Sequence, residues 1–222
     1  MKIKELEQQL SRLKGFNKPK IIYEQYATDA HLAARMLHVA ATSFDDIEGR
    51  SVLDLGCGCG MLSIASMMLG SSFNVAVDID SDALNIFREN MIETFGSDGE
   101  EPDEEYEMPC LSLIKADVTK PLFRPGYRFD TVLLNPPFGT KDKPGVDMVF
   151  LERAISLASG AVYSMHKTST REYILRRAKE NWGVEDVQVI AQLKFDLPAT
   201  YKFHKRDKVV IDVDLLRFGL AY

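Results

Sequence analysis

Ser51-Val52-Leu53-Asp54-Leu55-Gly56-Cys57-Gly58-Cys59-Gly60-Met61-Leu62-Ser63-Ile64-Ala65 decides the fold. Its first five residues form a short apolar run of the kind a buried strand needs, and the Ala, Leu and Met that close it favour helix. Between them the alternating glycines let the backbone come close to a ligand, while the helix N-terminus offers free N–H groups and a positive dipole end. The spacing is not the dinucleotide fingerprint G-x-G-x-x-G, because the sixth position from Gly56 is Met61. The alternation Asp54-x-Gly56-x-Gly58-x-Gly60 points away from a pyrophosphate and toward S-adenosylmethionine. Asp54 belongs to this set chiefly as the organiser of the loop. Phe73-Asn74-Val75-Ala76-Val77-Asp78 follows as a second strand that ends in an acid. It lies about twenty residues on, where a carboxylate accepts the ribose hydroxyls of a bound nucleoside.

Working outward, apolar runs near 51–55, 73–78, 111–115, 129–134 and 160–165 read as strands, and segments near 61–69, 82–92 and 147–158 as helices between them. Upstream lie an amphipathic helix over Lys2 to Lys14, a linker through Gly15 and Pro19, and a helix from Asp29 to Ala41 with Thr28 as its N-cap. Ser169 and Glu172 have the spacing of a capping box for a helix carrying Tyr173 and Leu175. Val184 to Leu193 and Val209 to Leu216 have no helix between them and are expected to pair as an antiparallel hairpin. The whole predicts one α/β domain over 1–222, with an N-terminal helical segment 1–48 and a doubly wound, mostly parallel sheet ending in that hairpin. Ligands in such sheets bind beyond the carboxyl ends of the central strands.

Phe129-Asp130-Thr131-Val132-Leu133-Leu134 runs directly into Asn135-Pro136-Pro137-Phe138. Each proline fixes its own φ and pushes the preceding residue into extended conformations, so Asn135 and its neighbouring carbonyl have little freedom. The Asn135 amide oxygen and the Pro136 carbonyl can accept the two hydrogens of a planar amine, drawing its lone pair out of conjugation. Phe138 is placed to stack on the ring that carries the amine. These four residues are the expected catalytic set.

The chain has 222 residues, 45% hydrophobic and 27% charged, enough for one filled core. No apolar run approaches membrane-spanning length and Met1-Lys2-Ile3-Lys4-Glu5-Leu6 does not read as a signal peptide, so an intracellular protein without membrane partners is expected. Cys57, Cys59 and Cys110 fit a reducing compartment. No second Cys or His pair stands at ligand spacing, and no metal site is expected. The net charge of −6 is local: 97–107 holds seven acids and no base, leaving +1 for the remainder. That stretch reads as a solvated loop insertion. Tyr201-Lys202-Phe203-His204-Lys205-Arg206-Asp207-Lys208 mixes cations with aromatics, a pattern that neutralises phosphates and stacks on bases, though a solvated hairpin loop gives the same composition.

Glu24-Gln25-Tyr26-Ala27-Thr28, the loop Asp54 to Gly60, Asp78-Ile79-Asp80, Asn135-Pro136-Pro137-Phe138-Gly139-Thr140-Lys141, His166-Lys167-Thr168-Ser169-Thr170-Arg171-Glu172 and Asp196-Leu197-Pro198-Ala199-Thr200-Tyr201-Lys202-Phe203-His204-Lys205 together resemble the methyltransferase-like protein five family. Members of that family methylate an adenine N6 amine in small-subunit ribosomal RNA. The resemblance spans nearly the whole chain except the acidic insertion. It implies a seven-stranded Rossmann-like class I methyltransferase in which Gln25, Thr28, Gly56, Cys59, Asp78 and Asp117 hold S-adenosylmethionine, with Asp117 near its adenine. His166 and Lys167 fall just after a strand, on the ligand side of the sheet, and with Tyr201, Lys202, His204 and Lys205 of the basic aromatic segment they are the expected RNA contacts; residence in nucleus and cytoplasm is expected. The resemblance also implies a small zinc-binding activator subunit as a heterodimer partner, which in this sequence would pair with the strand Leu111 to Lys115 at a sheet edge. Methylation of a protein glutamine uses the same amine grip, as does a guanine or DNA adenine target. A factor that binds cofactor and assembling ribosomes without turnover is the rival of a different class.

Overall fold

The structure is a computed structural model of the 222-residue chain that describes residues 1–96, 109–139, 144–198 and 208–220. Seven strands form one sheet: β1 (Ser51–Leu55), β2 (Phe73–Asp78), β3 (Leu111–Lys115), β4 (Phe129–Leu134), β5 (Ala158–Lys167), β6 (Asp186–Pro198) and β7 (Lys208–Gly219). Their order is β3-β2-β1-β4-β5-β7-β6, with β1 to β5 parallel and β7 antiparallel to both its neighbours. The expected doubly wound, mostly parallel sheet with a terminal antiparallel hairpin is what forms. In sequence the hairpin is β6 then β7, yet in space β7 lies inside and β6 at the edge.

Among the described residues six α-helices cover the two faces: α1 (Ile3–Leu10), α2 (Ala30–Thr42), α3 (Met61–Met68), α4 (Ser81–Phe95), α5 (Val146–Leu157) and α6 (Arg171–Trp182). Strand periodicity divides the core between them. Val52, Ala76 and Leu133 point to one face and pack with Leu10, Met36, Ile64 and Phe87 of α1 to α4. Leu53, Val75, Val77 and Val132 point to the other and pack with Leu151, Ile155, Ile174 and Ala178 of α5 and α6. Both faces being covered explains why the central strands are continuous apolar runs instead of alternating ones. Among the described residues no helix is long and apolar enough to cross a membrane.

Three local expectations are corrected. The first helix stops at Leu10, not Lys14, because the backbone of Lys14 is captured by α4: its N–H donates to Asn90 Oδ1 at 2.9 Å and its carbonyl accepts from Asn90 Nδ2 at 3.0 Å. The N-cap of α2 is Asp29, whose carboxylate accepts from the N–H groups of His31 and Leu32, while Thr28 is turned toward the site described below. The Ser169–Glu172 capping box does not form. A 3-10 turn over Thr168–Thr170 leads into α6, held by Thr168 Oγ1 and the Arg171 guanidinium, which both donate to buried Asp214 on β7. The acidic insertion 97–107 lies outside the described residues.

Candidate active site

The carboxyl ends of β1, β2 and β4 converge with the segment 16–28 around a cleft of about 340 Å³. Gln25, Tyr26, Gly56, Gly58, Asp78, Asp117 and Asn135 line it. A smaller recess of about 50 Å³ adjoins it, lined by Thr28, Asp54, Cys59 and again Asn135. Phe16, Tyr26, Gly56 and Gly58 line both.

The glycine turn is held by the end of β2. The N–H groups of Gly56 and Cys57 donate to the Val77 carbonyl at 2.8 and 3.0 Å, and that of Gly58 to Asp78 Oδ2 at 2.8 Å. Asp78 Oδ1 accepts from the Asp80 N–H at 2.8 Å. Burial raises the Asp78 carboxyl above its ordinary range, and these N–H groups oppose that rise. Gly60 opens α3 with φ +95°, and a Cβ there would lie 2.4 Å from the Phe87 ring. At Gly58, with φ +52°, a Cβ would lie 2.9 Å from the ring of Phe16. Asp54 is almost fully buried: one oxygen accepts from Ser63 Oγ at 2.6 Å and the other has no hydrogen-bond partner. Burial pushes its carboxyl up to about 7, with the nearby Asp78 charge adding to the rise and the Ser63 bond opposing it. The Cys57 and Cys59 thiols are raised by burial as well, Cys59 to about 12, so neither is a thiolate.

Gln25 lines the cleft with both ends of its amide engaged, Oε1 accepting from the Lys20 N–H at 2.8 Å and Nε2 donating to Asp80 Oδ2 at 2.7 Å. Lys20 Nζ reaches Asp80 at 2.5 Å and Asp82 at 2.7 Å, which with Gln25 holds Asp80 below its ordinary range although burial alone would raise it. Asp117 accepts from the N–H and hydroxyl of Thr119 at 2.9 and 2.7 Å and faces the cleft.

Asn135 stands at the end of β4. Its Nδ2 donates to Thr28 Oγ1 at 3.0 Å, and its Oδ1 is buried with no hydrogen-bond partner. The Pro136 carbonyl accepts from the Tyr26 hydroxyl at 3.3 Å, and the same hydroxyl accepts from the Phe138 N–H at 3.2 Å. Phe138 was expected to offer its ring to a base. Here it is 8% exposed and stacked on Tyr26, with centroids 5.4 Å apart and planes 21° from parallel. Lys167 Nζ lies 5.9 Å from the Phe138 centroid and 3.3 Å from its carbonyl oxygen.

His166 is a correction. It is 1% exposed, shut between Ser164 Oγ at 2.7 Å and Asp147 Oδ2 at 3.4 Å, so its ring faces the interior and not an RNA. Strand position put it on the ligand side of the sheet, but α5 covers it. Tyr201, Lys202, His204 and Lys205 lie outside the described residues. Phe16, Lys20 and Tyr26 are part of the site and were not singled out from the sequence. Only Tyr26 had a signal, its position between Gln25 and Thr28.

A glycine turn in which a Cβ at Gly58 or Gly60 would lie under 3 Å from a ring, and the acids Asp78 and Asp117 along one cleft, suit a nucleoside ligand carrying positive charge. Fold and site together define a class I S-adenosylmethionine-dependent methyltransferase. The family model "Ribosomal protein L11 methyltransferase (PrmA)" matches residues 31–97, which include β1 and β2. The rRNA N(6)-adenosine-methyltransferase METTL5 of Danio rerio is 49% identical over 98% of this chain and 99% of its own. The Drosophila melanogaster protein of that name is 47% identical over 100% of this chain and 98% of its own. The crystal structure of a proposed RNA methyltransferase from Pyrococcus horikoshii superposes with a TM-score of 0.80 at 32% identity, over 100% of this chain and 99% of that one. The chain therefore belongs to the METTL5 family of rRNA N(6)-adenosine-methyltransferases.

Proposed function

We propose that this chain methylates the N6 amine of an adenosine in small-subunit ribosomal RNA, in nucleus and cytoplasm, as the catalytic half of a heterodimer with a small zinc-binding activator subunit. The observation that carries the chemistry is Asn135 Oδ1, a buried acceptor without a partner on a residue that lines the cleft. An amine hydrogen on each oxygen satisfies both acceptors and turns the nitrogen lone pair toward the cofactor side. A full-length relationship to proteins named as rRNA N(6)-adenosine-methyltransferases supports adenosine in rRNA as the acceptor. The L11 methyltransferase family model matches residues 31–97 and includes none of 135–138, so that match does not favour a protein substrate.

Gly56, Gly58, Asp78 and Asp117 would hold S-adenosylmethionine, with Asp54 beside its charged end. The cofactor supplies an electrophilic methyl on a sulfonium. An adenine amine is a poor nucleophile, so the residues of this chain act by holding it in near-attack geometry and by stabilising the positive charge that develops on nitrogen. The extra proton then leaves to solvent, and no strong base is needed. Reaching Asn135 requires the base to leave its stack, which favours a single-stranded or flipped nucleotide. The proposed partner contact is β3, which is an edge of the sheet. Its Leu111 and Leu113 are half-buried against the chain's own core, so strand addition would lean on backbone groups more than on those side chains.

The test incubates the chain, alone and co-expressed with the candidate zinc-binding subunit, with labelled cofactor and a mixture of ribosomal RNAs and ribosomal proteins. The expected product is N6-methyladenosine in small-subunit RNA, more abundant with the partner and reduced at least about a hundredfold by Asn135→Ala. Label in protein glutamine or in large-subunit RNA rejects the substrate, and equal yield and melting temperature without the partner reject the heterodimer.

A further inference from the structure

Pro136 and Pro137 restrict the backbone of Asn135-Pro136-Pro137-Phe138 but carry no N–H, so the middle of the motif offers no backbone donor and the donors left to it are on Asn135 and Phe138. Something outside must hold the loop. In this structure Lys167 Nζ donates to the Phe138 carbonyl at the end of the motif, and one short segment of the N-terminal region meets the rest of it. The Tyr26 hydroxyl spends its donor on the Pro136 carbonyl and accepts from the Phe138 N–H, tying the middle of the motif to its end, while its ring stacks on Phe138. Two residues on, Thr28 Oγ1 accepts from Asn135 Nδ2. That bond leaves the amide oxygen as the end without a partner. Turned the other way, the amide would present a donor to an amine that also donates.

We propose that Tyr26 and Thr28 are positioning residues for methyl transfer: Tyr26 sets the direction of the Pro136 carbonyl, Thr28 sets the orientation of the Asn135 amide, and together they aim two acceptors at one amine. This rests on the amine-methylation reading above and assigns to Thr28 a task other than holding the cofactor. A carbonyl oxygen has two lone pairs, so the Tyr26 bond leaves one for the substrate. Burial, with the Glu24 charge adding to it, raises the Tyr26 phenol well above its ordinary range, so the hydroxyl keeps its donor proton at any working pH.

Tyr26→Phe keeps the stacked ring and removes the hydroxyl alone. With the partnered protein and small-subunit RNA, kcat falls roughly tenfold while cofactor affinity by calorimetry stays within about twofold, the size expected from loosening one orienting hydrogen bond. Exchange of the Phe138 amide proton, followed by NMR, speeds up roughly fivefold or more as its acceptor is lost. Thr28→Val lowers kcat similarly and Thr28→Ser restores most of it. Unchanged kcat in Tyr26→Phe and Thr28→Val overturns the inference, and so does a loss confined to cofactor affinity, which makes the segment a cofactor cover only. If the wild-type protein places no methyl on adenosine N6, the functional reading fails, and the Phe138 exchange alone then decides whether the brace exists.

Discussion

Replacing Asp54 by Asn should change how stability depends on pH. Asp54 is 2% exposed and its carboxyl is raised from 3.8 to about 7, chiefly by burial. Below about pH 4 the group is protonated in folded and unfolded chains alike and contributes nothing to the difference. Between there and pH 7 the unfolded chain gives up its proton while the folded chain keeps it, so stability declines as pH rises, and above 7 the loss is complete. Three units at about 1.4 kcal/mol each set an upper bound of roughly 4 kcal/mol. In a chain of this size that is a melting-temperature difference on the order of 10 °C. Asn keeps an acceptor for Ser63 Oγ but puts an amide where the unpartnered oxygen was, a pH-independent cost of about 1–3 kcal/mol. Cofactor-free wild type and variant, melted from pH 4.5 to 8.5, should therefore have converging or crossing curves, with wild type ahead at the acid end. Asp78 is raised in the same direction, but its contribution is largely common to both proteins and cancels in the difference. Parallel curves across that range refute the claim that Asp54 holds its proton in the folded state.

Gly60→Ala combines a left-handed backbone with a Cβ set 2.4 Å from the buried Phe87 ring, and should destabilise the protein by about 2–5 kcal/mol in denaturant unfolding, with weakened cofactor binding. A loss under about 1 kcal/mol means that α4 gives way to the methyl. Lys167→Met removes the donor to the Phe138 carbonyl and the cation near its ring, and should lower kcat by a few-fold with cofactor affinity intact. A rise in KM for RNA at constant kcat would instead make Lys167 a phosphate contact.

What could be read from the sequence and what could not divide along the range of the interaction that decides each feature. β1, β2 and β4 were legible because a parallel strand covered on both faces must be a short apolar run, and nothing distant is needed to see that in Phe73–Asp78 or Phe129–Leu134. The hairpin was legible from the missing helix, but the insertion of β7 between β5 and β6 depends on Val213, Leu215 and Leu216 packing against strands far earlier in the chain. The site divides in the same way. Asn135 announced itself through its own prolines and the glycine turn through its own spacing, whereas Thr28 read as a helix cap because Asp29, one residue on, competes for that place and wins it. Its released hydroxyl meets Asn135 across 107 positions of chain. His166 failed in the opposite sense: strand direction correctly placed it at the ligand end of β5, but exposure there depends on Asp147 of α5, which closes over the ring. The motif with the chemistry is thus local and the parts that aim it are remote, as follows from Pro136 and Pro137 having no N–H to donate. A motif whose middle has no backbone donor is fastened by side chains brought from elsewhere, here Tyr26, Thr28 and Lys167. Tyr26 and Thr28 lie together in one segment of the N-terminal region, so damage to residues 25–28 should show first in the rate of transfer, before it shows in the fold.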